Sequence, residues 1–235
     1  MLILPELWRA DDGPDFYDDL KASLHLDGAF APLAHGERVT SGVGGPTWQP
    51  RLAHLFGERG LFFSGHRSLT KVQLASRERL QHFEPGTWGL GLLTRLDVED
   101  VRVISLGRLP RERVQRALVV ARLKENDRPF YVLAIHGAHL SHGSHRQYQR
   151  VSEFVGTLDP ALPLIIGGDF NSWRPLLRLL LPGWHTLATG RTWPAPRPHS
   201  QIDHILGRGP WKSTRSFTRD GGSDHLALVA DLELL

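Results

Sequence analysis

Short apolar runs separated by polar segments dominate the chain and predict a protein rich in strands. Such runs begin at residues 61, 88, 101, 116, 129, 163, 202 and 226, and another opens the chain at residues 2–4. Several carry apolar residues at consecutive positions, which is the pattern of strands buried on both faces. The runs therefore predict sheets packed against each other around a buried core.

Helical periodicity is confined to three stretches. Apolar side chains recur four apart from Phe16 to Leu24, after Pro14, and two further stretches cover residues 144–158 and 174–181. Residues 34–60 hold many glycines and few periodic apolar positions, which predicts mostly loop. Many strands with few helices predict a layered α+β sandwich, in which helices cover two packed sheets. Without internal repeats or a low-complexity linker, we expect one domain over residues 1–235.

Composition limits the class of protein without identifying it. Of the 235 residues, 40% are hydrophobic and 23% charged, as in ordinary soluble globular proteins. The chain has no cysteine, which excludes disulfides and thiolate metal sites. It has neither a signal peptide nor an apolar run long enough to span a bilayer, so we expect a cytoplasmic protein.

The basic residues are unevenly divided, since only four of the 28 are lysines. Arginine pairs bidentately with phosphate, which would suit a phosphate-bearing partner. High genomic G+C content together with solvated arginines would produce the same excess. The charge balance leaves both interpretations open.

Polar residues recur where apolar runs end, and these are the candidates for chemistry. The set consists of Glu6, His139, Asp169, Asn171, Asp203, Asp224 and His225. Asp169 and Asn171 follow the run "LIIGG", whose glycines would let the backbone approach a ligand closely. The alternative is an Asx-turn that caps the helix near Pro175.

Asp203 interrupts an apolar strand, where an unpaired carboxylate would be costly. An imidazole is its natural partner, and His225 is the candidate, because an Asp–His pair fixes the ring tautomer and raises the pKa of the imidazole. Asp224 and His225 have an alternative role as a polar turn that enters the last strand. His204 points to the opposite face of its strand and is expected to be a core or surface histidine.

Four histidines recur every third residue at positions 136, 139, 142 and 145. His-rich tracts can bind zinc or nickel, but a spacing of three places the first two on opposite faces of a strand. We therefore expect one functional histidine rather than a metal box. His139, at the end of its strand, is the best placed, and the others are expected to be solvated or to support the site indirectly.

Four motifs in order give the chain a family resemblance. "GAHLSH" with the following "HRQYQRV", then "GGDFNS", "QIDHIL" and "GSDHLAL", resemble the endonuclease/exonuclease/phosphatase superfamily of metal-dependent phosphodiesterases. The resemblance covers residues 2–235. It implies a four-layer α/β/β/α sandwich of two mainly antiparallel sheets.

The resemblance also implies a role for each candidate residue. Glu6 and Asp224 match acidic residues at the metal, Asp169 the aspartate that activates or orients water, and Asn171 the amide that holds a phosphate oxygen. His225, paired with Asp203, matches the phosphate-binding histidine, and His139 matches the histidine of the deoxyribonuclease and sphingomyelinase branches. Mg²⁺ or Mn²⁺ is the expected cofactor, because a few carboxylates are sufficient to anchor such a hard ion.

The start of the chain departs from the family pattern. Relatives have an asparagine-bearing strand before the glutamate strand, whereas here Glu6 lies in the first strand, preceded by Pro5 instead of the usual glutamine. We expect either a missing N-terminal segment or a reduced member that self-associates through an exposed sheet edge or has lost activity. Ala138, where a threonine is common, is a smaller departure.

The leading hypothesis is a nuclease-like, Mg²⁺- or Mn²⁺-assisted hydrolase of phosphodiesters, with water attacking in line. Its partner would be a phosphodiester substrate, with DNA or RNA as candidates and no stable membrane anchor. One alternative is a phospholipid or sphingomyelin phosphodiesterase, for which the loop around Trp48 could meet lipid. Another is a catalytically impaired phosphate-binding or scaffold member.

Overall fold

A computed structural model describes residues 1–12, 15–39, 47–50, 83–110, 112 and 114–235. The apolar run from residue 61 and Pro14 at the expected helix start lie outside the described residues, as does the side chain of Trp48.

The described residues form twelve strands and three α-helices. The helices are α1 (Phe16–Ser23), α2 (His145–Val155) and α3 (Arg174–Leu180). The strands are β1 (Leu2–Ala10), β2 (Asp27–Val39), β3 (Thr47–Pro50), β4 (Phe83–Thr94), β5 (Asp97–Gly107), β6 (Arg116–Glu125), β7 (Arg128–His136), β8 (Leu164–Asp169), β9 (His185–Thr186), β10 (Asp203–Arg208), β11 (Trp211–Asp220) and β12 (Leu226–Leu234).

Two sheets and one hairpin account for these strands. The first sheet has the order β1-β4-β2-β3 with antiparallel pairs throughout. The second has the order β5-β6-β7-β8-β10-β9 and is antiparallel except for β7 and β8. That pair is parallel because α2 lies between the two strands along the chain and carries the crossover. Strands β11 and β12 pair with each other.

Three apolar clusters separate the layers. Tyr17 of α1 packs on Leu7 and Leu93 at the outer face of the first sheet. The largest cluster lies between the sheets, and a third joins the outer face of the second sheet to α2 and α3 through residues such as Tyr148 and Leu177. The order helix, sheet, sheet, helix confirms the expected α+β sandwich of mainly antiparallel strands.

Two strands with open edges lie near the ends of the chain. Within the described residues, β1 pairs only with β4, and β12 pairs only with β11. An unpaired edge offers backbone hydrogen bonds to another strand. Self-association through such an edge stays a prediction.

The expectation that residues 34–60 are mostly loop is wrong for residues 34–39 and 47–50, which are strand, and the rest of that segment lies outside the described residues. Strand β2 continues to Val39 and pairs with β3 and β4. Its glycine and proline positions hide the period-two pattern, while the partner strands satisfy its backbone. The sequence pattern also failed to indicate strand β11, because most of its residues are polar and exposed.

No helix in the described part of the chain is long and apolar enough to cross a membrane.

Candidate active site

Sheet register brings three polar residues together at one edge of the second sheet. Asp169 at the end of β8 lies directly opposite Asp203 at the start of β10, and opposite His136 at the end of parallel β7. Gly168 makes the close strand packing possible, because a Cβ there would lie 2.0 Å from the carbonyl oxygen of Ile135 and its φ is +132°. This glycine therefore serves the approach of a neighbouring strand rather than that of a ligand.

The turn after β8 has the Asx geometry that the sequence left open as one alternative. The Oδ1 atom of Asp169 accepts a hydrogen bond from the backbone N–H of Asn171 at 2.7 Å, which defines an Asx-turn. Helix α3 is capped at Trp173 instead, so the turn does not cap that helix. Asn171 has a φ of +48°, a conformation that asparagine tolerates better than most residues.

The side chain of Asn171 holds the turn and the carboxylate in place. Its Nδ2 donates to Asp169 Oδ2 and to the carbonyl oxygen of Gly137, each at 3.0 Å. The buried hydroxyl of Tyr148 on α2 donates to the carbonyl oxygen of Phe170 from below. Asp169 therefore sits in a turn that is anchored at several points.

His225 and Asp203 form a hydrogen-bonded pair. His225 Nδ1 lies 2.8 Å from Asp203 Oδ2. Burial acts to lower the pKa of His225, but the hydrogen bond and charge of Asp203, with the charges of Asp169 and Asp224, raise it to about 9. The ring is therefore a cation at neutral pH, and its Nε2–H is left to face another acceptor.

Asp169 is the carboxylate with the most perturbed environment in the group. Burial is the largest cause, followed by the charge of Asp203, and together they raise the pKa of Asp169 to about 7. The ligand atoms of Asp169, Asp203 and His225 all lie within 4.8 Å of one another. Such a cluster can hold a cation or share protons around neutral pH.

Glu6 reaches the site from the first sheet through an irregularity in β1. The register between β1 and β4 shifts between Leu4 and Leu7, the segment that contains Pro5 and Glu6. Proline has no N–H to pair, so the ladder is interrupted there, and such bulges re-aim side chains. The Glu6 side chain is 65% exposed. Desolvation and then the charge of Asp224 raise the pKa of Glu6.

His136 joins the two sheets at the floor of the site. Its Nδ1 lies 3.1 Å from the carbonyl oxygen of Pro5, and its Nε2 lies 3.5 Å from Asp169 Oδ2 and 3.7 Å from Glu6 Oε1. Burial and then the charge of Arg116 lower the pKa of His136 well below its usual value. The ring is therefore a neutral spacer between the carboxylates, and of the two alternatives for this histidine, solvated or indirectly supporting the site, the structure agrees with the second.

Asp224 lies in the exposed segment before β12, which the loop before β10 holds in place. The backbone N–H of Ala195 donates to the Asp224 carbonyl oxygen, and the N–H of Leu226 donates to Thr192, each at 2.7 Å. Thr192 is fully buried. These bonds bracket Asp224 and His225 on both sides, which keeps His225 against Asp203.

His139 and Asn171 line a small cavity beside the carboxylates. The cavity has a volume of about 220 Å³, and its other lining residues are Leu140, Ser141, Ser172 and Trp173. Partial desolvation and then the nearby His142 lower the pKa of His139. The two rings lie edge to face with centroids 5.8 Å apart. His139 is thus a neutral imidazole at the cavity wall.

A second carboxylate–imidazole pair lies behind His139. Glu112 Oε1 is 2.5 Å from His142 Nδ1, and Glu112 Oε2 is 3.1 Å from Arg116 Nη2. Burial acts to raise the pKa of Glu112, but Arg116 and the hydrogen bond from His142 lower it below its usual value. This network was not expected from the sequence, where Glu112 stands in an irregular polar segment.

The structure gathers the sequence candidates on one side of the sandwich. Asp169, Asp203 and His225 are in close contact, and Asn171 donates a hydrogen bond to Asp169. The charges of Asp224, His225 and Asp203 act on the pKa of Glu6. His204 lies on the opposite face, where it is buried and contacts the Ser172 carbonyl oxygen at 2.9 Å. His145 is exposed on α2 and takes no part.

A family model named Endonuclease/Exonuclease/phosphatase family matches residues 6–225. The chain belongs to this family. The match begins at Glu6 and ends at His225, so it spans every candidate in the site. Members of the family are hydrolases, which agrees with an acidic cleft that contains a charged imidazole. A search of curated proteins finds no significant match.

Solved structures share the fold at low sequence identity. An endonuclease/exonuclease/phosphatase family protein from Leptotrichia buccalis C-1013-b has a TM-score of 0.63 at 11% identity, over 99% of this chain and 86% of its own. One from Beutenbergia cavernae DSM 12333 has a TM-score of 0.59 at 16% identity, over 99% and 62%. The mannosyl-6-phosphatase Bt3783 of Bacteroides thetaiotaomicron VPI-5482 has a TM-score of 0.51 at 16% identity, over 63% and 72%.

Proposed function

We propose that the protein hydrolyses phosphodiester bonds with the help of Mg²⁺ or Mn²⁺. The observation that carries the proposal is the cluster of Asp169, Asp203 and His225 within 4.8 Å, at the strand ends of a fold whose family consists of hydrolases. The cluster supplies a carboxylate with a pKa of about 7 beside an imidazole with a pKa of about 9. This is the pairing of a proton acceptor with a fixed positive charge.

Glu6 and Asp224 are the residues we assign to the metal. Their carboxylates are close enough for Asp224 to raise the pKa of Glu6, so two like charges converge in one cleft. A divalent cation would relieve this repulsion, and oxygen donors are the ligands that Mg²⁺ and Mn²⁺ prefer. When bound, such an ion neutralises phosphate charge and makes a nearby water easier to deprotonate.

Asp169 is the residue we assign to the attacking water. Two hydrogen bonds from Asn171 fix its carboxylate, and the raised pKa allows it to take up a proton near neutral pH. A base is most effective when its pKa is close to the working pH. Asp169 can thus orient a water and receive its proton.

His225, His139 and Asn171 are the groups we assign to the phosphate oxygens. Asp203 keeps His225 charged and oriented, so its Nε2–H can donate to a non-bridging oxygen. His139 offers a neutral ring at the cavity wall. Both protons of Asn171 Nδ2 have partners in this structure, so Asn171 must exchange one of them to hold a phosphate oxygen directly.

Metal binding and hydrolysis of bis-p-nitrophenyl phosphate together test the proposal. We expect Mg²⁺ or Mn²⁺ to bind in isothermal titration and to be required for turnover. Glu6→Gln and Asp224→Asn should each weaken metal binding, while Glu99→Gln, which changes an exposed carboxylate of an ion pair on the second sheet, should not. Absence of both binding and hydrolysis in the wild type would favour the impaired phosphate-binding protein instead.

The choice of substrate distinguishes the nuclease-like activity from the lipid phosphodiesterase alternative. Hydrolysis of sphingomyelin or phosphatidylcholine vesicles without nicking of plasmid DNA would support a lipid phosphodiesterase. Nicking of plasmid DNA, or of an RNA strand, without vesicle hydrolysis would support the nuclease-like activity that we propose.

A further inference from the structure

The cavity beside Asn171 has an unusually exposed tryptophan in its wall. The side chain of Trp173 is 60% exposed, whereas large aromatic residues are usually well buried. It is the most exposed of the six tryptophans whose side chains the structure describes, which are Trp8, Trp88, Trp173, Trp184, Trp193 and Trp211.

Backbone hydrogen bonds fix the start of α3, from which this indole extends at the cavity. The carbonyl oxygen of Trp173 accepts hydrogen bonds from Leu176 and Leu177 at 3.0 and 3.1 Å, because Trp173 caps the start of α3. The preceding Ser172 is buried. Among the described residues, no aromatic ring stacks on the indole and no guanidinium lies over it. Within that part of the chain, the faces of the indole are therefore open to a ligand.

The cavity is suited to one small ring. Its volume is about 220 Å³, below the roughly 300–1,000 Å³ of pockets that enclose whole drug-sized ligands. Leu140 adds a second apolar wall and is 44% exposed. His139 and Asn171, which we assign to the phosphate, belong to the same lining, together with Ser141 and Ser172. An apolar slot thus adjoins the groups that would hold a phosphate.

We propose that Trp173 and Leu140 form an aromatic subsite for a planar ring attached to the phosphoester. The proposal rests on the phosphoester function above and extends it to substrate selection. A flat ring can stack on the indole without hydrogen bonds to the edge of the ring, while the attached phosphate reaches His139 and Asn171. Trp173 is then the specificity-determining residue. The ring can be a nucleobase or an aryl group, since both present the same π-face.

Ligand affinity measures the subsite without requiring turnover. Isothermal titration in Mg²⁺ would compare thymidine monophosphate, phenyl phosphate and methyl phosphate. The wild type should bind a ring-bearing phosphate about 5- to 150-fold more tightly than methyl phosphate, the range expected for one stacked ring. If only thymidine monophosphate binds more tightly than methyl phosphate, the subsite is specific for a nucleobase. If phenyl phosphate binds as tightly as thymidine monophosphate, the subsite accepts any aryl ring.

Three variants keep the test specific to the indole. Trp173→Ala should reduce the ring preference to about onefold, while Trp173→Phe should retain most of it. Leu179→Ala, which truncates a 76% exposed side chain on the same helix, should leave it unchanged. Equal wild-type affinity for ring and methyl phosphates would overturn the proposal, as would an unchanged ring preference in Trp173→Ala.

Two more outcomes distinguish the aromatic subsite from a lipid contact and from the hydrolytic function itself. If Trp173→Ala lost binding to phosphatidylcholine vesicles but kept the ring preference, the indole would be a lipid contact and the proposal would fail. A Trp173-dependent ring preference in a protein that cannot hydrolyse bis-p-nitrophenyl phosphate would leave the subsite standing and overturn the hydrolytic function. Hydrolysis of bis-p-nitrophenyl phosphate without a ring preference would support the hydrolytic function and overturn the aromatic subsite.

Discussion

His225 and Asp203 hold each other across two segments of the chain, with His225 Nδ1 2.8 Å from Asp203 Oδ2. Asp203 begins β10 inside the second sheet, whereas His225 precedes β12, so the bond ties the terminal hairpin to the candidate site. It also links the ionisation of the site to the stability of the fold, because it raises the pKa of His225 to about 9.

This linkage predicts the pH dependence of one variant. The unfolded imidazole has a pKa near 6.5 and the folded one near 9, so the stabilisation is complete below pH 6.5 and is lost as the pH rises through about 9. It is on the order of 3 kcal/mol at most. His225→Gln should therefore lower Tm in EDTA much more at pH 6 than at pH 9.5.

The control for this experiment breaks an exposed pair of the same type. His35 Nε2 lies 2.7 Å from Asp11 Oδ2, and both side chains are more than one-third exposed. His35→Gln should cost less than about 1 kcal/mol. A Tm loss in His225→Gln that stays constant or grows with pH would contradict the linkage.

Asp203→Asn should move the whole pH–rate profile to lower pH. The charge of Asp203 raises the pKa values of both His225 and Asp169, so its removal lowers both. If Asp169 acts deprotonated and His225 protonated, the wild-type kcat/KM should fall on the acid side as Asp169 takes up a proton and on the alkaline side as His225 loses one. An alkaline limb that stays in place in Asp203→Asn would refute the role of the pair.

Glu112 should matter for stability far more than an exposed carboxylate with a similar partner. Its side chain and that of Arg116 are 6% and 8% exposed, and truncation of Glu112 leaves a buried guanidinium without its carboxylate. Glu112→Ala should cost about 3–5 kcal/mol in urea unfolding. Glu99→Ala, which breaks an ion pair with Arg122 whose side chains are 35% and 42% exposed, should cost less than about 1 kcal/mol. Equal losses would mean that the buried network is not formed.

Tyr148 supports the turn that carries Asp169. Tyr148→Phe removes the hydroxyl that donates to the buried Phe170 carbonyl oxygen, which should cost about 1–3 kcal/mol and reduce kcat. Tyr17→Phe is the matched control, because the Tyr17 hydroxyl is buried with no hydrogen-bond partner among the described residues. That variant should be neutral or slightly stabilising. Losses of similar size in both variants would argue against the role of Tyr148.

The sequence could predict the strand-end residues because their surroundings are local. The apolar run before Asp169 and the one after Asp203 identify buried strands, and polar residues at their ends must face a common edge once the strands pair. The pairing of Asp203 with His225 followed from the cost of an isolated carboxylate. The many apolar strand-like runs with few helical stretches between them predicted the layered fold.

Contacts between the two sheets could not be predicted in this way. His136 reaches Pro5 and Glu6 only because the sheets pack face to face, and no periodicity within β7 indicates that contact. Glu112 lies in an irregular segment, so neither its burial nor its partners have a local signal. The exposure of Trp173 also depends on the tertiary arrangement, because the sequence shows only an aromatic residue before a helix.

Hydrolytic turnover by two variants distinguishes an active site at Asp169 and His225 from a cleft that only binds phosphate. The hydrolysis of bis-p-nitrophenyl phosphate in Mg²⁺ or Mn²⁺ should fall by about 10²–10⁴-fold in Asp169→Asn and in His225→Ala, the range for loss of a general base or an oxyanion donor. His145→Ala, which changes an exposed histidine of α2, should keep wild-type activity. Wild-type rates in folded Asp169→Asn and His225→Ala would rule out the catalytic roles of both residues.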